Sequence, residues 1–426
     1  MHDYRLNPFT GNMETVEMVD FHIVPKNQPH YIRLRDIPEK GDPVTTVTVR
    51  PFVFVADATI PLTSTAINVD FDLSTPFKEG DIITINEEKM QVTGVAASGI
   101  SVLRGYDGTI PTVHNRLSTT EPIIAYGPPF AEVPKEPGQG QYQPDYHTKP
   151  GGDESWNTGT IRFNAVDAMT WVQVKYNSIG TVNGAEHTGN NSLRDYGYKS
   201  TSDIIAVLSG TIALPTANQC QLLYVRKGAV SRATFPGMLI RATGAIVNAG
   251  TISANGLAGQ GNWGSGGGGG GHNSDGSVNC HSFYYHSHAL IRNGVTPNQD
   301  QQQFLLELSK SCPIFSGSGG TNGNHGGGEA GGGVALISPY VFNFGAINTH
   351  GHGAGGGDQV AAGGGGGGAV VISCETFIQS GTIYVAGGPG ALRRWYLSGL
   401  GGGWREVWSQ SGGAGWIKIL EHGGRY

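Results

Sequence analysis

The 426-residue chain is poor in charge: Lys, Arg, Asp and Glu together make up 14%, against about 25% in ordinary soluble domains. It also lacks any run approaching the roughly 18 consecutive apolar residues of a spanning helix. Low charge is therefore not membrane character here, and no membrane insertion is expected. Cysteine is scarce, with four in the whole chain, which excludes a disulfide-built scaffold. The opening MHDYRLNPFTGNMETVEMVD places acidic residues where a signal peptide carries its apolar run, so synthesis in the cytoplasm without a signal peptide is expected. A formal charge of −6 argues against broad electrostatic nucleic-acid binding. Helical periodicity is almost absent.

What the chain has is glycine, 69 in all, with 19 in residues 1–230 and 50 in residues 231–426. Each glycine loses more backbone entropy on folding than any other residue, so the second part is built on a different physical principle from the first. The first part reads as β structure. Phe21–Pro25, Tyr31–Ile37, Val44–Val49 and Phe52–Val55 are rich in β-branched and aromatic residues. A compact β unit follows over 77–126, with a turn at Arg104-Gly-Tyr-Asp-Gly108. Residues 1–126 thus form an N-terminal β region. Residues 127–153, dense in Pro and Gly, have the composition of a linker. Strand patterning resumes at Gly159–Phe163, Met169–Tyr176, Asp203–Leu208 and Gln221–Arg226, and a β-sandwich over 154–230 is expected.

From residue 231 a degenerate repeat takes over. Gly331–Ser338 matches Gly366–Ser373 at an offset of 35, with aromatics Phe342 and Phe377 following at the same offset. Gly-x-Ile-x-x-x-Gly occurs at Gly250/Ile252/Gly256, Gly345/Ile347/Gly351 and Gly381/Ile383/Gly387. Such recurrence indicates a layered or repeat architecture. The runs Gly266–Gly271 and Gly363–Gly368 lie between copies. A flexible linker is one reading of them. A phosphate-cradling loop is another, although neither run is followed by Lys-Ser/Thr. The third is packed polyglycine II, a three-residue-per-turn helix without internal hydrogen bonds, whose polar groups must be met by neighbouring chains. The flanking Val/Ile strands favour the third. The fold class expected is all-β and multi-domain: N-terminal β modules and a sandwich, then a glycine-rich repeat domain with packed polyglycine II helices over 231–426, interrupted by an insert at 272–315.

The combination of Gly-x-Ile-x-x-x-Gly, polyglycine runs and short Val/Ile strands resembles glycine-rich bacteriophage tail-fibre adhesins. In addition, Gly80-Asp-Ile-Ile-Thr-Ile-Asn-Glu-Glu-Lys-Met-Gln-Val with Val-Leu-Arg-Gly-Tyr-Asp-Gly-Thr109 looks like a small β module frequent in phage tail and virion proteins. The first resemblance covers about residues 231–426. It implies a virion protein, located in the tail, that attaches to the particle through residues 1–126 and binds a host surface receptor, a glycan or an outer-membrane protein, through loops on a glycine scaffold. Its implied partners are other virion tail proteins and further copies of itself, a trimer being one such assembly. A structural tail or capsid-decoration protein without receptor binding is the alternative, and a tailspike depolymerase the third.

Aromatic and arginine residues sit beside the glycine segments, the residue types enriched at binding hot spots. They make Trp263, Tyr284, Tyr285, Arg393, Arg394, Trp395, Tyr396, Trp404 and Trp408 the receptor-contact candidates; covering the glycine layer is their other reading. Trp416 reads as core. His286, His288, His350 and His352 form two His-x-His pairs, the weaker candidates for metal ligation. His272, Cys280, His281 and Cys312 add to the local density of ligand-type residues, without a standard zinc spacing. Cys280 and Cys312 could alternatively be a disulfide, while Cys220 and Cys374 read as buried strand residues. No cofactor is expected. Nor is an enzyme: no carboxylate pair stands out as a glycosidase would need, and there is no nucleophile elbow or His-Glu-x-x-His motif.

Overall fold

The structure, a computed structural model, describes residues 16–34, 38, 47–70, 76–148, 154–178, 204–215, 217–234, 237–255, 271–272, 278–279, 331–353, 367–389, 392–396, 404–408 and 415–421. Among these the chain is almost entirely β, with only two single-turn 3₁₀ segments, Tyr106–Gly108 and Ala165–Asp167. No helix among the described residues is long and apolar enough to cross a membrane. The chain divides into two compact units, Met1–Arg194 with Thr243–Ala245 and Tyr426, and Asp195–Ala242 with Ile246–Arg425.

The first unit is antiparallel in its main sheet. Val16–Ile23 pairs with Trp171–Ser178, which pairs with Thr48–Phe54, and that strand leads through Ile124–Tyr126 to the meander Ile82–Ile85, Glu88–Ala96, Gly99–Leu103 and the edge strand Ala66–Asn68. A second sheet holds Ala131–Glu132, Gln141–Thr148, Glu154–Phe163 and Tyr31–Arg33. Two apolar clusters result. Val49, Val172, Val174 and Tyr176 pack with Ile32, Tyr142, Ile161 and Phe163. At the meander end, Ile60, Ile83, Ile85, Met90 and Val102 form the other.

Two expectations are corrected here. Residues 127–148, with the composition of a linker, carry two strands, because Phe130 and Tyr142 are buried in the first cluster. The sandwich over 154–230 is not one body. Residues 154–178 pair with strands from the first 54 residues, whereas Ile204–Val207 and Thr211–Leu214 open the second unit.

The second unit is a stack of parallel rungs. Ile204–Val207, Ala217–Val225, Gly237–Asn248, Gly333–Ile337, Ala369–Cys374 and Trp416–Glu421 are successive neighbours in one sheet. Thr211–Leu214, Val230–Ala233, Thr251–Ser253, Ala346–Asn348 and Thr382–Tyr384 are neighbours in the other. Each rung but the last, Trp416–Glu421, gives one strand to each sheet, and neighbouring rungs pair in parallel. A third short wall is made by Tyr340–Asn343 beside Thr376–Gln379. This is a parallel β-solenoid, an architecture in which each repeat is stabilised chiefly by its nearest neighbours. Ile252, Ile347 and Ile383 lie directly over one another, the first two fully buried. Burying such a side chain stabilises by about 1.5–3 kcal/mol.

The strands of the two matching segments pair at an offset of 36 rather than 35: Val334 lies beside Val370 and Leu336 beside Ile372. The aromatic match shifts with it, Phe342 pairing with Ile378 and Val341 with Phe377. An offset of 35 gives more identical letters. A one-residue slip, however, turns every side chain to the other face, and Val334, Leu336, Val370 and Ile372 all belong to the one core. Cys220 and Cys374 are buried thiols on strands, as expected, and Cys220 Sγ lies 3.7 Å from the Arg241 carbonyl.

Glycine fixes how close the rungs come. A Cβ on Gly345 would strike the carbonyl oxygen of Gly250, and one on Gly381 would strike that of Gly345. The three repeat glycines are therefore one column of touching backbone. A second column runs through Gly331, Gly368 and Gly415, each of which would place a Cβ against the backbone of the neighbouring rung. Of the two polyglycine runs, only Gly271, Gly367 and Gly368 lie among the described residues, and the rest of both runs falls outside them.

Candidate functional site

The solenoid turns two kinds of corner. At the first, Asn248-Ala-Gly250, Asn343-Phe-Gly345 and Gln379-Ser-Gly381 repeat on successive rungs. The Asn248 carbonyl accepts from the N–H groups of Phe344 (2.7 Å) and Gly345 (2.9 Å), and the Asn343 carbonyl accepts from those of Ser380 (3.0 Å) and Gly381 (2.8 Å). These corners are tight and closed.

At the second corner, the last three of the five strands of the shorter sheet are each followed by a long stretch of sequence before the next rung: 256–330, 354–366 and 390–414. At each exit a backbone bond closes the neck. Gly332 N–H donates to Ala254 O (2.7 Å), Gly368 N–H to Thr349 O (2.6 Å) and Gly415 N–H to Val385 O (2.7 Å). The three excursions thus leave from equivalent places on three consecutive rungs. A neck closed by the main chain does not depend on which side chains the excursion carries.

All nine receptor-contact candidates lie in these excursions. Trp263, Tyr284 and Tyr285 fall outside the described residues, as do His286, His288, Cys280 and Cys312. The other six lie on one antiparallel ribbon, Leu392–Tyr396 with Trp404–Trp408. Its register sets Leu392 opposite Trp408, Arg393 opposite Val407, Arg394 opposite Glu406, Trp395 opposite Arg405 and Tyr396 opposite Trp404. Arg405 and Glu406, on the same ribbon, are not among the nine candidates.

His350 and His352 lie beside the neck of the middle excursion. Their rings are 5.9 Å apart, and Tyr384 is 5.4 Å from His350 on the next rung. The backbone N–H of His350 donates to Asn255 Oδ1 at the root of the first excursion (3.1 Å). Burial, with the neighbouring His352 charge second, holds His350 below the usual histidine range. No group of three or more metal-capable residues occurs among the described residues. Trp416 lies on the last strand; its side chain is outside what the structure describes. Burial chiefly, then the charges of Glu421 and Glu375, pushes the Cys374 thiol up to about 12, so it stays protonated and is no nucleophile.

The first unit holds a different constellation. Arg104 donates to both oxygens of Glu88, Nε to Oε1 at 2.6 Å and Nη2 to Oε2 at 2.8 Å. His114 Nε2 lies 2.8 Å from Oε2, and the N–H groups of Thr112 (2.9 Å) and Gly105 (3.2 Å) also donate to the carboxylate. Arg104 further reaches the carbonyls of Pro61 and Thr112. These bonds tie the Arg104–Gly108 turn, residues 112–114 and the Pro61 carbonyl together around Glu88 on the meander, which gives the cluster a structural role. No protein-family model, no curated protein and no solved structure matches the chain.

Proposed function

We propose that the protein is a phage virion component, a tail-fibre or tail-tip adhesin, whose glycine-rich solenoid presents loops to a host-surface receptor. One observation carries the reading: three consecutive excursions, the first and last of which bear every aromatic and arginine candidate, are closed by the same glycine-to-carbonyl neck on successive rungs. A scaffold of that kind lowers the ordering cost of its loops, and several copies on one particle would add avidity. Polyglycine II packing of the runs 266–271 and 363–368 belongs to the same proposal. Its support is the column Gly331, Gly368 and Gly415, where only glycine fits between touching backbones. The proposed mechanism is binding, without covalent chemistry.

The first unit would provide attachment to other tail proteins. Ile110 and Leu117 are 79% and 85% exposed there, beside segments tied down by Thr112 and His114 on Glu88 and by Arg116 on the carbonyls of Ala56 and Ala58, and exposed apolar residues so placed suit a protein contact. The same feature favours the second reading, a structural virion protein without receptor binding. Association of copies has its support in Ile417 and Ile419 of the last strand, 42% and 41% exposed.

The experiment is competition. The full chain, and a form lacking 391–411, are added to host cells before phage, and adsorbed particles are counted. Blocking by the full chain and not by the deletion supports the adhesin. Equal adsorption with and without the full chain turns the assignment to the structural reading.

A further inference from the structure

The solenoid ends on a step. Its last rung gives Trp416–Glu421 to the longer sheet, while the shorter sheet finishes one rung earlier, at Thr382–Tyr384. The longer sheet therefore stands one strand beyond the shorter, about 4.8 Å. The third wall ends on Thr376–Gln379, and there Glu421 Oε1 accepts from the Phe377 N–H (3.2 Å). A charged side chain is one of the ways proteins close a sheet edge. Of the three walls at this end, one carries an extra strand and one is capped by Glu421. The short wall has no strand beyond Thr382–Tyr384 among the described residues.

Core positions register the missing strand. Met238, Val334 and Val370 form one inward column and Ile240, Leu336 and Ile372 another, all of them buried. The next residues in these columns are Ile417 and Ile419, 42% and 41% exposed. In the shorter sheet Ile252 and Ile347 are fully buried, and Ile383 above them only partly. At the opposite end of the stack Ile205 and Val207, the inward residues of the first longer-sheet strand, are buried.

A segment that completes the rung must run along the edge of Thr382–Tyr384 and turn apolar side chains inward, towards Ile417 and Ile419. Trp416–Glu421 of a second copy has both properties, being an edge strand with two isoleucines on its inward face. We propose that the protein dimerises end to end through this step, each copy's Trp416–Glu421 completing the last rung of the other. A two-fold axis along the strands, midway between the two sheets, exchanges the longer wall with the shorter. Each last strand then lies antiparallel on the partner's short wall, and the four isoleucines meet in one core. Such a contact is isologous and closes at two copies. It satisfies edge groups and apolar ends that a solenoid otherwise needs a capping element to cover. The inference rests on the association of copies in the proposed function, and names its surface and symmetry.

The test follows the mass of the full chain by light scattering along a dilution series, with hydrogen exchange read at both extremes. Expected is a dimer that dissociates on dilution. Ile417→Lys and Ile419→Lys should each weaken it about tenfold or more, with thermal melts matching the parent to show that they are folded. Ile110→Lys, at an exposed apolar position of the first unit, should leave it unchanged. On the parent chain, amides of both Trp416–Glu421 and Thr382–Tyr384 should exchange more slowly in the dimer, which decides the matter if the variants do not fold. A monomer at every concentration overturns this inference and the association of copies together. A trimer, or a dimer that folded Ile417→Lys and Ile419→Lys leave intact or that Ile110→Lys dissolves, overturns this inference alone. Protection of Trp416–Glu421 without Thr382–Tyr384 also overturns it, because the two last strands would then be pairing with each other.

Discussion

Asn248 donates from Nδ2 to Oδ1 of Asn343 at 2.8 Å, a bond between side chains 95 residues apart in sequence and stacked on successive rungs. Asn248 Nδ2 also reaches Ala346 O (3.0 Å), and Asn343 Nδ2 reaches Thr382 O (3.3 Å) on the rung beyond. Both side chains are buried, where a polar group without a partner is costly. The ladder spans the point at which the longest excursion, 256–330, separates the third and fourth rungs.

Replacing Asn343 by Ala removes the acceptor of Asn248 and the donor to Thr382 together. Each buried polar group left unmet costs about 1–3 kcal/mol. Hydrogen exchange at Ala346–Asn348 should therefore quicken, while amides of the first-unit strand Val16–Ile23 keep their rates. Unchanged exchange at the corner would show that the ladder does not hold the rungs.

Gly345→Ala puts a methyl group against the carbonyl oxygen of Gly250 and the backbone of Ala249. Neither can yield without moving the rung beneath, so overpacking of about 1–3 kcal/mol is expected. The unfolding transition of the solenoid should move to lower temperature; a transition at the parent temperature would mean that the rungs can spread at no cost.

Glu88 sets an acid limit on the first unit. Burial by itself raises its carboxyl, but Arg104, the Thr112 N–H, His114 and the Gly105 N–H outweigh this and lower it from 4.5 to about 2. A carboxylate depressed in the folded state contributes stability that is complete above its unfolded value and is lost as pH falls from about 4.5 towards 2. Unfolding followed between pH 6 and pH 2 should show that loss, and Glu88→Gln should flatten it. Arg104→Ala at neutral pH, which strands the buried carboxylate, should cost about 3–5 kcal/mol.

Much of this architecture was legible in the order of the residues. Alternation and β-branching located the meander over 82–103, and the spacing of Gly250, Gly345 and Gly381 with Ile252, Ile347 and Ile383 marked positions that stack in the structure. The first two rungs were illegible for a reason: Ser231 occupies the level that Ile252 takes on the next rung. There the repeat survives in register only as Gly210-Thr-Ile, since Val230 takes the level of Thr211 and Thr251. The asparagines two residues before Gly250 and Gly345 were visible but unremarkable, since an Asn-x-Gly reads as any turn.

Sequence alone determined that the chain is β and located most of its strands, because alternation and β-branching follow from local sterics and from the period of side chains along an extended chain. Only the tertiary structure decided the register of 36, the use of 127–148 as strands and the closure of three necks at one corner. Each of those depends on a partner far away in the chain: Val370 beside Val334, Phe130 packed on Phe163, the Gly332 N–H on the carbonyl of Ala254. Backbone groups that bond across 78 residues leave no pattern in the residues between them, since every amino acid but proline carries the same N–H and every one the same carbonyl.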